Sequence, residues 1–96
     1  MRKIRIKEKS FFAWVASRVL RTEQMAMVLG RTIHLYNTST EEFLADKRWY
    51  NHELKHIEQF EQHGFIPFLL KYTIESIKNG YYNNKYEIEA RRAEHY

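Results

Sequence analysis

The 96-residue sequence contains no cysteine, which excludes a disulfide framework and any metal site built from thiolate ligands. It also lacks a signal-like apolar block and any run of about 18 apolar residues, the length that crosses a bilayer. We therefore expect a soluble, cytoplasmic protein without a membrane partner. Internal repeats and low-complexity tracts are absent too, and a chain of this length predicts a single domain over residues 1–96.

Positive charge is concentrated at the start of the chain. The net charge is +4, and the first nine residues, with five basic side chains against Glu8, already account for it. A nucleic-acid-binding protein more often spreads lysine and arginine along a face with interleaved aromatic residues, so a nucleic-acid partner is the lowest-ranked hypothesis. Residues 2–7 predict instead a charged edge strand in which Ile4 and Ile6 alternate inward.

The most informative pattern is His52-Glu53-Leu54-Lys55-His56, an H-E-x-x-H sequence. On a helix, positions i and i+4 lie about 40° apart, so both imidazoles can converge on one metal ion. Glu53 lies about 100° round from His52, near the ion without being forced to bind it, where it can accept a proton from a water that the metal has made more acidic. The pattern predicts a zinc site, although two histidines at this spacing can also merely pack and form hydrogen bonds.

The surrounding residues predict that the metal face of this helix is also its core face. Within about 140° of arc around His52 lie Trp49, His56, Ile57 and Phe60, whereas the opposite side carries mostly charged and amide side chains. We therefore expect the two histidines to point into the protein.

A catalytic zinc site usually has three protein ligands, so a third is expected further along the chain. The strongest candidate is Glu87, in the segment Tyr86-Glu87-Ile88-Glu89-Ala90, 31 residues after His56. An alternative role for Glu87 is helix capping, because it stands three residues after Asn84. The remaining candidate ligands nearby are Glu89, Glu94 and His95.

With these residues the chain resembles the gluzincin-type zinc metallopeptidases, in which H-E-x-x-H is followed by a glutamate on a later helix, often as E-x-E-A. The resemblance implies that His52, His56 and Glu87 are the zinc ligands, that Glu53 is the general base and that Glu89 is not a ligand. Many members have aspartate where this chain has Arg91. That aspartate supports a metal-bound histidine, so the resemblance leaves the corresponding support in this chain unidentified.

The N-terminal half predicts a small sheet and one helix behind it. Ser10 can cap a helix from Phe11 to about Arg21, a backing element that turns Phe12, Val15 and Val19 to one side. The alternating residues 25–29 and 32–37, joined by a turn at Gly30, predict a β-hairpin.

The second half predicts helices only. A short helical turn around Phe43 leads into the long H-E-x-x-H helix, which Gly64 ends. A third helix begins near Pro67, ends at Gly80 and packs on the metal helix through Phe68, Leu69, Tyr72 and Ile77. With a further helix for Glu87, the fold class is α+β: a minimal zincin-like domain with a small antiparallel sheet, a backing helix, the H-E-x-x-H helix and two C-terminal helices.

In the family that the chain resembles, a strand just before the active-site helix often lines the cleft and pairs with extended substrate. Residues 32–37 occupy that place, and His34 could meet substrate there or simply cover the sheet. Tyr81 and Tyr82 precede the Glu87 helix and are candidates for polarising a substrate carbonyl or stabilising an oxyanion, unless they only pack.

The sequence therefore predicts a zinc-dependent metallopeptidase that acts on peptides or proteins, with zinc as its cofactor and Glu53 as the base that activates water. The alternative is a non-catalytic interaction domain that zinc stabilises. The sequence makes no prediction of the oligomeric state.

Overall fold

The computed structural model describes residues 3–95, which form a three-stranded sheet and five helices. The predicted α+β class is confirmed. The strands are β1 (Arg5–Lys7), β2 (Met25–Leu29) and β3 (Thr32–Tyr36), and the helices are α1 (Phe11–Leu20), α2 (Thr40–Ala45), α3 (Lys47–His63), α4 (Phe65–Asn79) and α5 (Lys85–Ala93). None of these helices combines the length and the apolar character needed to cross a bilayer.

The sheet is mixed rather than antiparallel, with strand order β1-β3-β2. The hairpin of β2 and β3 is antiparallel as predicted, and Gly30 takes a positive φ of 65° in its turn. The prediction was wrong for β1, which pairs with β3 in parallel. A parallel pair needs a long connection, and α1 and β2 provide it. The predicted strand began at Arg2, which lies outside the described residues.

Strand β3 is the central strand, so its backbone is not available to a substrate. Residues 32–34 pair with β1 on one side, the whole strand pairs with β2 on the other, and the carbonyl of Leu35 accepts the N–H of Ser10. The expectation that residues 32–37 pair with substrate was therefore wrong. Among residues 3–95 the two edges of the sheet belong to β1 and β2.

Helix α1 packs on the sheet through its small residues. Ala13 and Ser17 are buried against β2 and β3, whereas Phe12, Val15 and Val19 are exposed. The prediction of a backing helix was right in position. The apolar side chains that share one side of it remain exposed, although the Phe12 ring contacts His34 of β3 edge-on. Small residues let the helix approach the strands closely, and the larger apolar residues lie on a different side of the helix.

The main core lies between the other face of the sheet and α3. It contains Ile33 and Leu35 from β3, and its remaining members come from β2 and all four later helices: Val28, Phe43, Ile57, Phe60, Phe68 and Tyr86. Helix α3 contacts β2, α2, α4 and α5 and is thus the centre of the molecule. Phe68, Leu69 and Tyr72 of α4 pack on this core as predicted, but Ile77 is 79% exposed, and its predicted contact with α3 was wrong.

The N-cap of α1 provides a test of this packing. The Oγ atom of the buried Ser10 accepts the N–H of Ala13 and lies 2.7 Å from Nδ1 of His34, so one side chain joins the helix to the sheet. We expect Ser10→Ala to lower the free energy of unfolding by about 2 kcal/mol, of which about half comes from the cap and half from the buried hydrogen bond.

Urea denaturation measures this loss, and Ser39→Ala is the matched control. Ser39 caps α2 through Glu42 in a more exposed setting, so its loss is expected to be about 1 kcal/mol or less. Equal losses in the two variants would contradict a buried link between Ser10 and His34.

Candidate metal centre

The first two residues of the centre come from α3. Asp46 caps this helix by accepting the N–H of Trp49, and the helix then presents His52 and His56 one turn apart with ring centroids 5.1 Å from each other. Both rings point inward, since their side chains are only 13% and 9% exposed. The predicted orientation of the metal face toward the protein interior is confirmed.

The third residue is Glu87, in the first turn of α5, and the fully buried Asn84 fixes where that helix begins. The Oδ1 atom of Asn84 accepts the N–H of Tyr86, and its amide group donates to the carbonyl of Tyr72 and to Oγ of Ser76 on α4. The Glu87 carboxylate does not form the capping contact considered from the sequence. It points to the two histidines instead.

Glu87 Oε1 lies 3.0 Å from Nε2 of His52 and 3.2 Å from Nε2 of His56, and the three candidate ligand atoms lie within 4.8 Å of one another. Two imidazole nitrogens and one carboxylate oxygen are a common ligand set of catalytic zinc. Ligands at about 2.0–2.1 Å in a tetrahedral arrangement are separated by about 3.4 Å, so the three residues fit a zinc ion with little movement. Zinc itself stays a prediction. We call His52, His56 and Glu87 the ligand cluster.

The other ring nitrogen of each histidine also has a partner. His52 Nδ1 lies 2.7 Å from Glu94 Oε2, and His56 Nδ1 lies 2.9 Å from Gln59 Oε1. Both partners are acceptors, so each Nδ1 carries the proton and each Nε2 is directed to the metal position. Glu94, considered from the sequence as a reserve ligand, instead lies behind His52.

Glu94 is the candidate for the support that the resemblance left unidentified, since it lies 2.7 Å from His52 Nδ1. It follows α5 as its C-cap residue, two turns beyond Glu87, and also lies 3.9 Å from the guanidinium of Arg48. Arg91, at the position where aspartate is common in gluzincins, points elsewhere: it donates to the carbonyl of Tyr82 and covers the Tyr82 ring at 4.2 Å.

Gln59 contacts His56 with an amide group whose orientation is fixed by other hydrogen bonds. Its amide nitrogen donates to the carbonyl of Tyr86 and to Glu89 Oε1, at 3.1 and 3.0 Å, so its oxygen must face the imidazole. The side chain is 1% exposed and joins α3 to α5. Glu89 is thus outside the ligand cluster, as the resemblance implied.

Within the ligand cluster the negative charge of Glu87 and the two histidines stabilise one another. Burial raises the pKa of Glu87, but hydrogen bonds from His52, His56 and Tyr72 outweigh it and hold the pKa well below its ordinary value. Burial lowers the pKa of both histidines, and the bonds to Glu87 more than compensate, so both pKa values are raised. Glu87 is therefore ionised and available to a cation.

Glu53 is close to the ligand cluster but separate from it. It is only 4% exposed, and burial raises its pKa to about 8; the positive charge of His56 opposes the shift, and the carboxylates of Glu87 and Glu94 add to it. A carboxyl group with a pKa near neutrality can both accept and return a proton.

Tyr72 also belongs to the site, although its sequence position predicted only that it packs between α4 and α3. Its hydroxyl donates to Glu87 Oε2, the oxygen that does not face the histidines. Burial, followed by the charge of Glu87, raises its pKa, so it stays a phenol and a donor. Its position on the same helix face as Phe68 was the available signal, since that face was expected to meet α3.

The remaining predicted site residues fall in different places. Tyr81 lines the same cavity as Glu53, and burial together with the Glu87 and Glu53 carboxylates raises its pKa. Tyr82 is 71% exposed beside Arg91, and His34 lies under α1, bonded to Ser10. The structure therefore brings Tyr81 to the ligand cluster but brings neither Tyr82 nor His34 there.

A cavity of about 860 Å³ opens beside the ligand cluster. It runs across the free edge of β2, whose five residues all line it, between α1 on one side and α3 and α4 on the other. His52, Glu53, His56 and Glu87 contribute to its wall. A molecule in the cavity therefore reaches both the ligand cluster and Glu53.

Metal binding is the first property to test. We expect protein purified without chelator to contain one zinc per chain, and His52→Ala, His56→Ala and Glu87→Ala each to weaken zinc binding by more than about 100-fold, because each removes a direct ligand. Elemental analysis and competition with a chromogenic chelator measure this. His95→Ala, which removes an exposed histidine outside the ligand cluster, should bind as the unsubstituted chain does. A zinc-free unsubstituted protein would contradict the assignment.

The contact behind His52 has a separate consequence. Glu94→Ala removes the acceptor for Nδ1 of His52 and should weaken zinc binding by about 10–100-fold, with Glu94→Gln intermediate because it keeps an acceptor without the charge. Glu41→Ala removes an exposed carboxylate at the start of α2 and serves as the control. Unchanged affinity in Glu94→Ala would show that Glu94 does not support the ligand.

The ligand cluster and the cavity are the basis for assigning a function to this chain. No protein-family model, no curated protein and no solved structure matches it.

Proposed function

We propose that this chain is a zinc-dependent peptidase of the gluzincin type. The observation that carries the proposal is that two buried acidic groups lie in different positions relative to the histidines. Glu87 converges with His52 and His56, whereas the buried Glu53 stands beside them in the same cavity without joining the ligand set. A purely structural metal site does not require such a second acid.

His52, His56 and Glu87 would hold the zinc ion. Bound zinc supplies a Lewis acid that makes water more acidic and polarises the substrate carbonyl. Glu53 accepts the proton of the attacking water and returns it to the leaving amine, a role that suits a carboxyl group placed beside the ligand cluster in the same cavity. Burial of Glu53 keeps bulk water from competing for that proton.

Phenol groups provide hydrogen-bond donors beside the ligand cluster. Tyr72 holds Glu87 through its second oxygen and so orients a ligand. Tyr81 lines the cavity, is 42% exposed and stays protonated, so we propose it as the donor to the oxyanion. Tyr82 is not part of this proposal because its ring lies beside Arg91.

The free edge of β2 supports a peptide as the substrate. In an antiparallel pair every second residue directs its N–H and C=O groups away from the partner strand. Within residues 3–95, β2 pairs with β3 alone, so these groups lie at an open edge of the sheet beside the cavity that its residues line. An extended peptide can pair with such an edge. In this chain β2, rather than residues 32–37, would therefore be the strand that pairs with an extended substrate.

A second candidate function is a zinc-stabilised domain without catalysis. The ligand cluster joins α3 to α5, and Tyr72 extends the contact to α4, so metal binding would stabilise the fold even without a reaction. Under this alternative Glu53 has no chemical role.

Replacement of Glu53 separates the two functions. We expect Glu53→Gln to retain zinc but lose peptide cleavage by about 10²–10⁴-fold, because the amide cannot accept the proton. Mass spectrometry of a peptide library measures cleavage. Glu58→Gln makes the same change on the same helix, outside the cavity, and should cleave normally. Undiminished cleavage in Glu53→Gln would contradict its role as base, and tight zinc binding without any cleavage by the unsubstituted chain would favour the second function.

A further inference from the structure

One wall of the cavity consists of large apolar side chains that remain exposed. We call Phe11, Phe12, Val15 and Val19 of α1 the apolar wall. They are 67%, 54%, 38% and 74% exposed, and all four line the cavity. We propose that the apolar wall selects a peptide segment with bulky apolar side chains and packs on it while the segment reaches the ligand cluster. This inference rests on the proposed peptidase function and names its substrate class.

The surfaces opposite and beneath the apolar wall have the same character. Leu69 and Phe60 line the far side, and the β2 residues between them include Met25 and Met27. The charged and imidazole groups of the lining belong to the ligand cluster and Glu53. A bound molecule must therefore be apolar over most of its length and polar where it meets the cluster.

The free edge of β2 distinguishes a peptide from a lipid chain. An aliphatic chain lying in the cavity would cover the unpaired backbone groups of β2 without satisfying them, which costs free energy for each group. A peptide satisfies them with its own backbone while its side chains pack against the apolar wall. The volume of about 860 Å³ is near the upper end of the usual range for ligand sites, so more than one bulky side chain has room.

Helix α4 provides an internal control for simple surface hydrophobicity. Its outer side carries an equally apolar and equally exposed stripe, which does not line the cavity: Ile66, Leu70, Ile74 and Ile77. If exposed apolar area alone attracted peptides, this stripe would do so as well. If the cavity selects them, only the apolar wall matters.

The test measures binding rather than turnover, in zinc-loaded Glu53→Gln protein so that the probe is not cleaved. The probes are two fluorescein-labelled ten-residue peptides of glycine and serine, one with a central Leu-Phe-Leu segment and one with Ala-Ala-Ala. We expect anisotropy titration to show at least tenfold tighter binding of the Leu-Phe-Leu peptide. The double variant Val15→Gln/Val19→Gln should remove this preference, and Ile74→Gln/Ile77→Gln should change it by less than twofold.

Four results would overturn the proposal. Equal affinity for the two peptides would show that the cavity does not select apolar side chains, and equal losses in the two double variants would show unspecific adhesion. Binding of phosphatidylcholine vesicles without binding of either peptide would identify a lipid surface as the occupant. A dimer in sedimentation analysis that Val15→Gln/Val19→Gln dissociates would identify a second copy of the chain. Absence of cleavage by the unsubstituted, zinc-loaded chain, with the peptide preference retained, would count only against the proposed function.

Discussion

The convergence of Glu87 on His52 and His56 is the interaction on which the arrangement of the C-terminal half depends. Three ionisable groups are withdrawn from water at the contact of α3 and α5, which is costly unless each finds partners of opposite charge or good hydrogen bonds. Both histidines and the carboxylate do find them, through both ring nitrogens and both oxygens. The packing of α5 is therefore specified by a polar centre, and the apolar core lies around it.

The elements that build this centre are positioned by other buried polar side chains. Asn84 fixes the start of α5 on α4, and Gln59 connects α3 to the same helix from below His56. Neither is charged, so each orients a ligand without changing the charge of the site. Glu94 differs, because its carboxylate adds negative charge beside His52 and so increases the basicity of that imidazole. The two histidines are thus held in chemically different ways, which would make their contributions to the proposed metal binding unequal.

Local patterns predicted the parts of the site that lie on one helix. The spacing of His52 and His56 fixes their common face wherever the helix packs, and Glu87 was found because zinc chemistry requires a third ligand of that type. The support from Glu94 depends on where the last turn of α5 ends relative to α3, and no spacing rule in the sequence predicts that distance.

The direction of β1 was missed for a similar reason, since its pairing is set by the whole connection through α1 rather than by a turn. For α1 the pattern predicted that Phe12, Val15 and Val19 share one side but not which side meets the sheet, and close packing favoured the small Ala13 and Ser17 there.

The exposed apolar side of α1 connects the chemistry of the site to the peptide that we propose it binds. The pKa of Glu53 is near 8 because its carboxyl group is buried, and much of the surface it shares in the cavity is apolar. A peptide that covers the apolar wall would remove more water from the same space, and so strengthen the electrostatic interactions of Glu53 with its neighbours. A polar peptide would carry water into the cavity and weaken them. Selection of an apolar segment and activation of Glu53 would then have one physical cause, the low polarity of the space between α1 and α3.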